Sequence, residues 1–166
     1  SKRVKNYWRD LVVPITGTTV REDEAAYNRV WYEVEGAGYV YSGSVQPVRA
    51  ILNEPQHISL AGALGEVSVP FTDAFLEADA NSDLLYRLYY ESAHWVKASA
   101  IHADGTIWYA LLDDKTGNYY YAPGKHIRLI PNMELAPLAP GILNEQKRVE
   151  VRLKDQLLLA FEKNQQ

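Results

Sequence analysis

The chain has 166 residues, 47% of them hydrophobic and 23% charged, with a formal net charge of -4. Such a composition predicts a packed core in one domain or two small ones and excludes general disorder; the acidic balance excludes a general nucleic-acid binder, which would carry a basic surplus or stripe. There is no cysteine, so disulfides, thiolate metal sites and a cysteine nucleophile within the chain are excluded, and no apolar run approaches the ~20 residues that span a bilayer.

Twelve tyrosines and four tryptophans against three phenylalanines favour sheets whose rings keep a polar tip at the surface. No signal peptide is visible, and a start at Ser1-Lys2 is what a processed or trimmed chain would show. Leu11 to Pro14 is a short apolar run, followed by a Thr/Gly turn. Glu22-Asp23-Glu24 reads as a solvated loop. Arg29 to Val34 is strand-like, Gly36-Ala37-Gly38 a turn, and Tyr39-Val40-Tyr41 a short strand broken by Ser42-Gly43. Residues 49–64 contain the breakers Pro55 and Gly62 and read as a link between two units.

In the second unit Val67, Val69 and Phe71 alternate, and Asp73 to Asp83 reads as a polar loop. Leu84 to Tyr90 and His94 to Ile101 are predicted strands. Asp104-Gly105 lies between apolar-rich runs and predicts a hairpin with a type I′ turn, since both residues tolerate positive φ. Thr106 to Leu112 returns, Asp113 to Gly117 turns, Tyr119 to Ala122 is a strand, Pro123-Gly124 a turn, and Ile127 to Ile130 a last strand. Pro131 to Gly141 holds three prolines, and Ala136 to Pro140 within it is expected to be extended. Finally Val149, Val151 and Leu153 alternate with Glu150, Arg152 and Lys154, the period of a half-buried strand, and Leu157 to Phe161 reads as its hairpin partner.

Two stretches echo each other. Trp31-Tyr32-Glu33-Val34 leads to Tyr39-Val40-Tyr41-Ser42-Gly43, and Trp108-Tyr109-Ala110-Leu111 leads to Tyr120-Tyr121-Ala122-Pro123-Gly124. Both run strand, turn, aromatic strand, small-residue turn, the pattern of two small barrels of one kind that hide their sheet edges by closure.

The pattern resembles bacterial SH3-like domains, in which a Trp-Tyr strand precedes Gly-Tyr-Val, a short turn and a last strand. Trp31-Tyr32 with Gly38-Tyr39-Val40 matches. Trp108-Tyr109 with Tyr119-Tyr120-Tyr121 departs by the missing glycine, and the short stretch from Val20-Arg21 to Trp31 makes the first unit a reduced one. Residues 66–162 resemble the region ahead of, and entering, the catalytic domain of bacterial L,D-transpeptidases. The stretches that carry this are Tyr86-Arg87-Leu88-Tyr89-Tyr90, Asp104 to Tyr109, Tyr121 to Ile130, and Lys147-Arg148-Val149-Glu150-Val151-Arg152-Leu153-Lys154-Asp155-Gln156. That resemblance implies a family that cross-links peptidoglycan stem peptides by cysteine acyl transfer, with histidine as base and backbone amides on the oxyanion. The family's Ser-x-Gly-Cys-type motif is absent, so none of its catalytic residues carries over and this chain is expected to be no enzyme by itself.

The histidines His57, His94, His102 and His126 lack the spacing of a zinc site, Asp113-Asp114 ahead of Lys115-Thr116-Gly117 reads as a solvated turn, and nothing implies a cofactor. The aromatic residues are the binding feature. Both faces of so small a barrel cannot be core, so some rings must be exposed, where they can stack on sugars or grip an extended peptide. The candidates are Trp31, Tyr39, Tyr89, Trp95, Trp108 and Tyr120; core or inter-domain packing is the competing reading for each.

The sequence therefore predicts an all-β chain: a reduced SH3-like unit over 1–50, a linker over 51–64, a second SH3-like barrel over 65–130, a proline-containing linker over 131–146, and over 147–166 the opening hairpin of an L,D-transpeptidase catalytic domain. The expected role is non-catalytic cell-wall targeting or substrate positioning, outside the cytoplasm in a bacterial envelope, with peptidoglycan and the protein's own downstream catalytic domain as partners. The alternative is a structural spacer or protein-interaction module that binds no peptidoglycan.

Overall fold

A computed structural model describes residues 4–22 and 27–163. Asp23 and Glu24 of the expected acidic loop, and the last three residues of the region 147–166, lie outside the described residues. The fold is all-β and antiparallel. It divides into two compact units, Ser1–Ile130 and Pro131–Gln166.

The first unit holds two sheets. The smaller is a meander in the order β1-β2-β3, from Ile15–Val20, Val30–Val34 and Gly38–Tyr41. Gly36 and Gly38 take φ of 65° and 101° in the turn between the last two strands, a region open to glycine and strained for other residues. The expected Thr/Gly turn is instead β1. Its register against β2 shifts between Ile15 and Gly17, and a Cβ at Gly17 would stand 2.9 Å from Glu33 Oε2, so this glycine marks a bulge rather than a turn.

The larger sheet has seven strands: β4 (Ala63–Val67), β5 (Phe71–Phe75), β6 (Leu84–Tyr89), β7 (Ala93–Ile101), β8 (Ile107–Leu112), β9 (Tyr119–Pro123) and β10 (Ile127–Leu129), in the order β10-β4-β7-β8-β9-β5-β6. It curls round one core in which Val67, Val96, Tyr109, Leu111 and Ile127 are the largest fully buried side chains. Both edges feed that core, β10 through Ile127 and β6 through Leu88, yet the two edges are not paired with each other. No closed barrel forms among the described residues.

Three local features differ from the sequence expectation. Asp73 to Phe75 complete β5 instead of opening a loop, because Arg87 on the neighbouring strand holds Asp73 with two contacts of 2.7 and 3.1 Å. The Asp104-Gly105 hairpin is a type I turn closed by a left-handed glycine, not type I′. The Gly105 N–H donates to His102 O at 2.9 Å, and of these two residues only Gly105 has positive φ, at 85°. Asp104 instead accepts from the Thr106 N–H and hydroxyl at 2.9 and 2.7 Å, which fixes it as the turn's side-chain acceptor. Finally, β8 is buried on both faces: Trp108 is 6% and Tyr109 1% exposed.

The segment ahead of β4 makes no strand but is pinned to the seven-stranded sheet. Ile51 N–H donates to Ser68 O and Asn53 N–H to Lys125 O, both at 2.8 Å. Tyr109 hydroxyl accepts the Gln56 N–H at 2.7 Å and donates to Gln56 O at 3.2 Å. The two echoing stretches are both hairpins followed by a short 3-10 turn, at Ser42–Ser44 and Gly124–His126. Only the second leads on to a further strand of its sheet.

In the second unit, residues 132–135 form consecutive turns ahead of the stretch expected to be extended, with Glu134 N–H donating to Pro131 O and Leu135 N–H to Asn132 O at 2.9 and 3.1 Å. The hairpin follows as β11 (Lys147–Arg152) and β12 (Leu157–Glu162), in register from Lys147↔Glu162 to Arg152↔Leu157.

Candidate functional site

The six candidate aromatic residues separate into four environments. Trp108 and Tyr120 are each 6% exposed and are structural. The Trp108 ring meets Phe75 edge-on at 5.9 Å and its indole N–H donates to Thr106 Oγ1 at 3.2 Å. Tyr120 packs against Tyr86 at 5.0 Å, and burial pushes its hydroxyl pKa up to about 12, with Asp113 adding to the rise. Trp31 is half-buried against Tyr41 at 5.5 Å with the Arg21 guanidinium 5.9 Å from its ring. Trp95 stands exposed on β7 beside the Lys97 ammonium at 5.5 Å.

Tyr39 and Tyr89 come together. They line one groove of about 1190 Å³ in the first unit, with Trp8, Tyr32, Tyr41 and Phe71 among its other walls. The meander supplies Tyr32, Tyr39 and Tyr41, the seven-stranded sheet supplies Phe71 and Tyr89, and the segment before β1 supplies Trp8. A cleft of this size walled by rings can take several sugar or amino-acid residues of an extended polymer.

The groove is charged where its lining residues Arg9, Asp10 and Tyr89 gather, and Arg87 of β6, outside the lining, meets Asp10 there. Arg87 packs on Phe71, its guanidinium carbon 4.3 Å from the ring centroid, and is held by Asp73 as described. Asp10 reaches in from the first segment, with Oδ2 3.3 Å from both an Arg87 terminal nitrogen and the Tyr89 hydroxyl. Arg9 stands beside it, 3.7 Å from Asp10 Oδ1 and 3.4 Å from the Tyr89 hydroxyl. The Asp73 and Asp10 carboxylates hold the Arg87 pKa above its ordinary value.

The fold also assembles a pair that the sequence reading does not single out. Ser92 Oγ lies 2.9 Å from His94 Nε2, and His94 Nδ1 2.9 Å from the Tyr120 hydroxyl. Ser-x-His on one strand end is the only sequence signal for it. Ser92 Oγ also donates to Tyr89 O at 2.7 Å. With its proton committed there, the network assigns the His94 proton to Nε2, donating to Ser92, while Nδ1 accepts from Tyr120. Burial lowers the His94 pKa and keeps the ring neutral. The serine thus faces a donor rather than a base, and the chain of bonds ties the turn after β6 to β7 and β9.

The remaining polar candidates have local partners. Asp113 accepts from the Tyr86 hydroxyl at 2.9 Å and from the Lys115 and Thr116 N–H groups at 3.0 and 3.3 Å, and its pKa is lowered by these bonds. His126 Nδ1 lies 2.8 Å from Thr72 Oγ1, with its pKa lowered by burial and by Lys125. Among the described residues no group of three or more His, Asp or Glu could hold a metal ion, and no helix is long and apolar enough to cross a membrane. No family model, curated protein or solved structure matches the chain.

Proposed function

We propose that the chain is a non-catalytic wall-binding or substrate-positioning module of a peptidoglycan L,D-transpeptidase, acting outside the cytoplasm of a bacterium. The observation that carries this reading is the ring-walled groove, which brings Tyr39 and Tyr89 to one surface. Rings standing over a long cleft suit the apolar faces of sugars and the flat main chain of a stem peptide. In the finer reading of the fold, residues 1–50 and 65–130 are two SH3-like units, the first reduced. The hairpin Lys147–Glu162 opens a catalytic β-domain. Its stripe of Val149, Val151, Leu153 and Leu158 is 61–78% exposed, which supports its being one layer of a larger packing. With no cysteine in the chain, acyl transfer belongs to residues outside this sequence, and the module itself turns over no substrate.

Purified peptidoglycan sacculi test the proposal. The chain is expected to co-sediment with them, and Tyr39→Ala is expected to release it several-fold while leaving the unfolding midpoint in place, because that ring is 60% exposed. Retention no higher than that of a control protein of similar charge overturns the wall-binding reading. Burial of Trp108 and Tyr120 favours a second reading for part of the aromatic set, in which the sheet is a spacer that sets distance; a spacer keeps full function in the enzyme when Tyr39 and Tyr89 are both alanine.

A further inference from the structure

The charged part of the groove has the construction of an anion site that is already filled from within. Arg87 is held by Asp73, which takes one edge of its guanidinium at 2.7 and 3.1 Å, and by the Phe71 ring 4.3 Å from its guanidinium carbon. What remains is a terminal N–H aimed at Asp10, beside the Tyr89 hydroxyl and the Arg9 guanidinium. The three donors converge on one carboxylate, yet each stands 3.3 Å or more away. Well-made charge-assisted bonds are about 2.7–2.9 Å, so Asp10 occupies the position without closing on it.

The backbone at Asp10 agrees. It takes φ 65° in a turn closed by Leu11 N–H on Trp8 O at 3.3 Å, a conformation that costs a side-chain-bearing residue energy which asparagine or aspartate bears best. Two guanidiniums and two carboxylates leave the cluster neutral. Taking Asp10 away leaves one uncompensated positive charge, and one incoming carboxylate restores neutrality.

The strand that carries Arg87 and Tyr89 bears on the kind of ligand. β6 is an edge of the seven-stranded sheet. Tyr90 N–H donates to Pro70 O, so Thr72/Leu88 and Ala74/Tyr86 are the bonded pairs of the register, and the Arg87 N–H and C=O and the Tyr89 N–H face away from β5. Main-chain groups at strand spacing are what an extended peptide pairs with. We infer that this part of the groove is a site for the free C-terminal carboxylate of an extended peptide, with Asp10 as an internal competitor that holds the ligand-free segment in place. The inference rests on the groove being a ligand site and gives it a polarity: peptide ends with a free carboxylate are chosen over amidated ones. The apparent affinity of the natural chain is lowered by the fraction of molecules in which Asp10 fills the site.

The test uses the whole chain with acetyl-trialanine bearing a free carboxylate and the same peptide as its C-terminal amide, binding being followed by chemical shifts. The acid is expected to bind several-fold more tightly than the amide. Asp10→Asn, which keeps the turn conformation, is expected to tighten the acid several-fold and leave the amide unchanged. Arg9→Gln, at a side chain 85% exposed, is expected to reduce the preference without disturbing the sheet. Equal binding of acid and amide, no gain in the Asp10 variant, or no binding by any variant at millimolar peptide overturns the inference. Sacculus retention of the same variants separates it from the reading above: acid preference without retention removes the wall role and keeps the site, and retention without acid preference does the reverse.

Discussion

Trp108→Ala against Trp95→Ala divides the aromatic residues that hold the sheet from those that stand free on it. Trp108 is 6% exposed, stacks edge-on with Phe75 at 5.9 Å and donates its indole N–H to Thr106. Truncating a buried Trp to Ala costs about 3–5 kcal/mol through lost transfer energy and the cavity left behind. Trp95 is 49% exposed, and the one ring contact it makes among the described residues is the Lys97 ammonium at 5.5 Å, so its truncation should cost under about 1 kcal/mol. Urea unfolding followed by tryptophan emission is the assay. All four tryptophans lie at positions 8, 31, 95 and 108, inside the first compact unit, so the signal reports that unit and not the terminal hairpin. Domains of this kind hold about 5–15 kcal/mol, which leaves the Trp108 variant folded enough to measure. A loss below about 1 kcal/mol at Trp108, or an equal loss at Trp95, would refute the assignment of Trp108 to structure.

Two further outcomes follow from the same sheet. A Cβ at Gly65 would stand 2.6 Å from Ile127 Cγ2 and 2.8 Å from Val96 Cγ2, so Gly65→Ala is expected to lower stability by about 1–3 kcal/mol through overpacking, read as a lower urea midpoint at unchanged slope; a neutral or stabilising change would show that β10 does not close over β4 as described. His94 and His126 both have folded-state pKa values below the ordinary 6.5 because they are buried, so the unfolded chain takes up protons first as the pH falls; stability is full above that value, drops through the window beneath it, and levels off below the folded-state values. The urea midpoint should therefore be lower at pH 5 than at pH 7.5, and replacing both histidines with glutamine should flatten that slope; a flat profile in the natural chain would contradict their burial.

The elements legible in the sequence are those whose signal is local. Leu84 to Tyr89, Ala93 to Ile101 and Ile107 to Leu112 carry apolar and β-branched or aromatic runs between breakers, and the glycines at 36, 38 and 105 mark the turns between strands. What failed depended on a partner far along the chain. Gly17 looks like a turn residue until Glu33 stands opposite it across a bulge. Asp73 looks like a loop residue until Arg87 faces it from the next strand. Trp108 looks available for a ligand if a small sheet has one open face, and the Phe75 ring covers it. The groove is the extreme case. Its walls run from Trp8 to Tyr89, with no spacing that links them, and Arg9 and Asp10 carry no pattern at all. Two of its rings, Tyr39 and Tyr89, are legible in the sequence only through their type.

The terminal hairpin shows the same division between pattern and partner. Its alternation predicts a half-buried strand, and the register places Val149 opposite Ala160 and Val151 opposite Leu158 on one face. That face is the open one. Val149, Val151 and Leu158 are 65%, 61% and 70% exposed. The other face supplies its own cover: the Arg148 guanidinium carbon lies 4.4 Å from the centroid of the Phe161 ring, and Glu150, its pKa lowered chiefly by Arg152, receives the Arg152 Nε–H at 2.6 Å. A two-stranded ribbon is marginal in water at best, and an apolar stripe left open on it gains stability only when another layer packs there. The pattern in the sequence thus encodes a burial that two strands cannot provide for themselves. In the reading proposed above, that layer is the rest of the catalytic β-domain, and the charged face, already satisfied by Arg152 on Glu150 within β11 and by Arg148 on Phe161 across the strands, is the one left toward water.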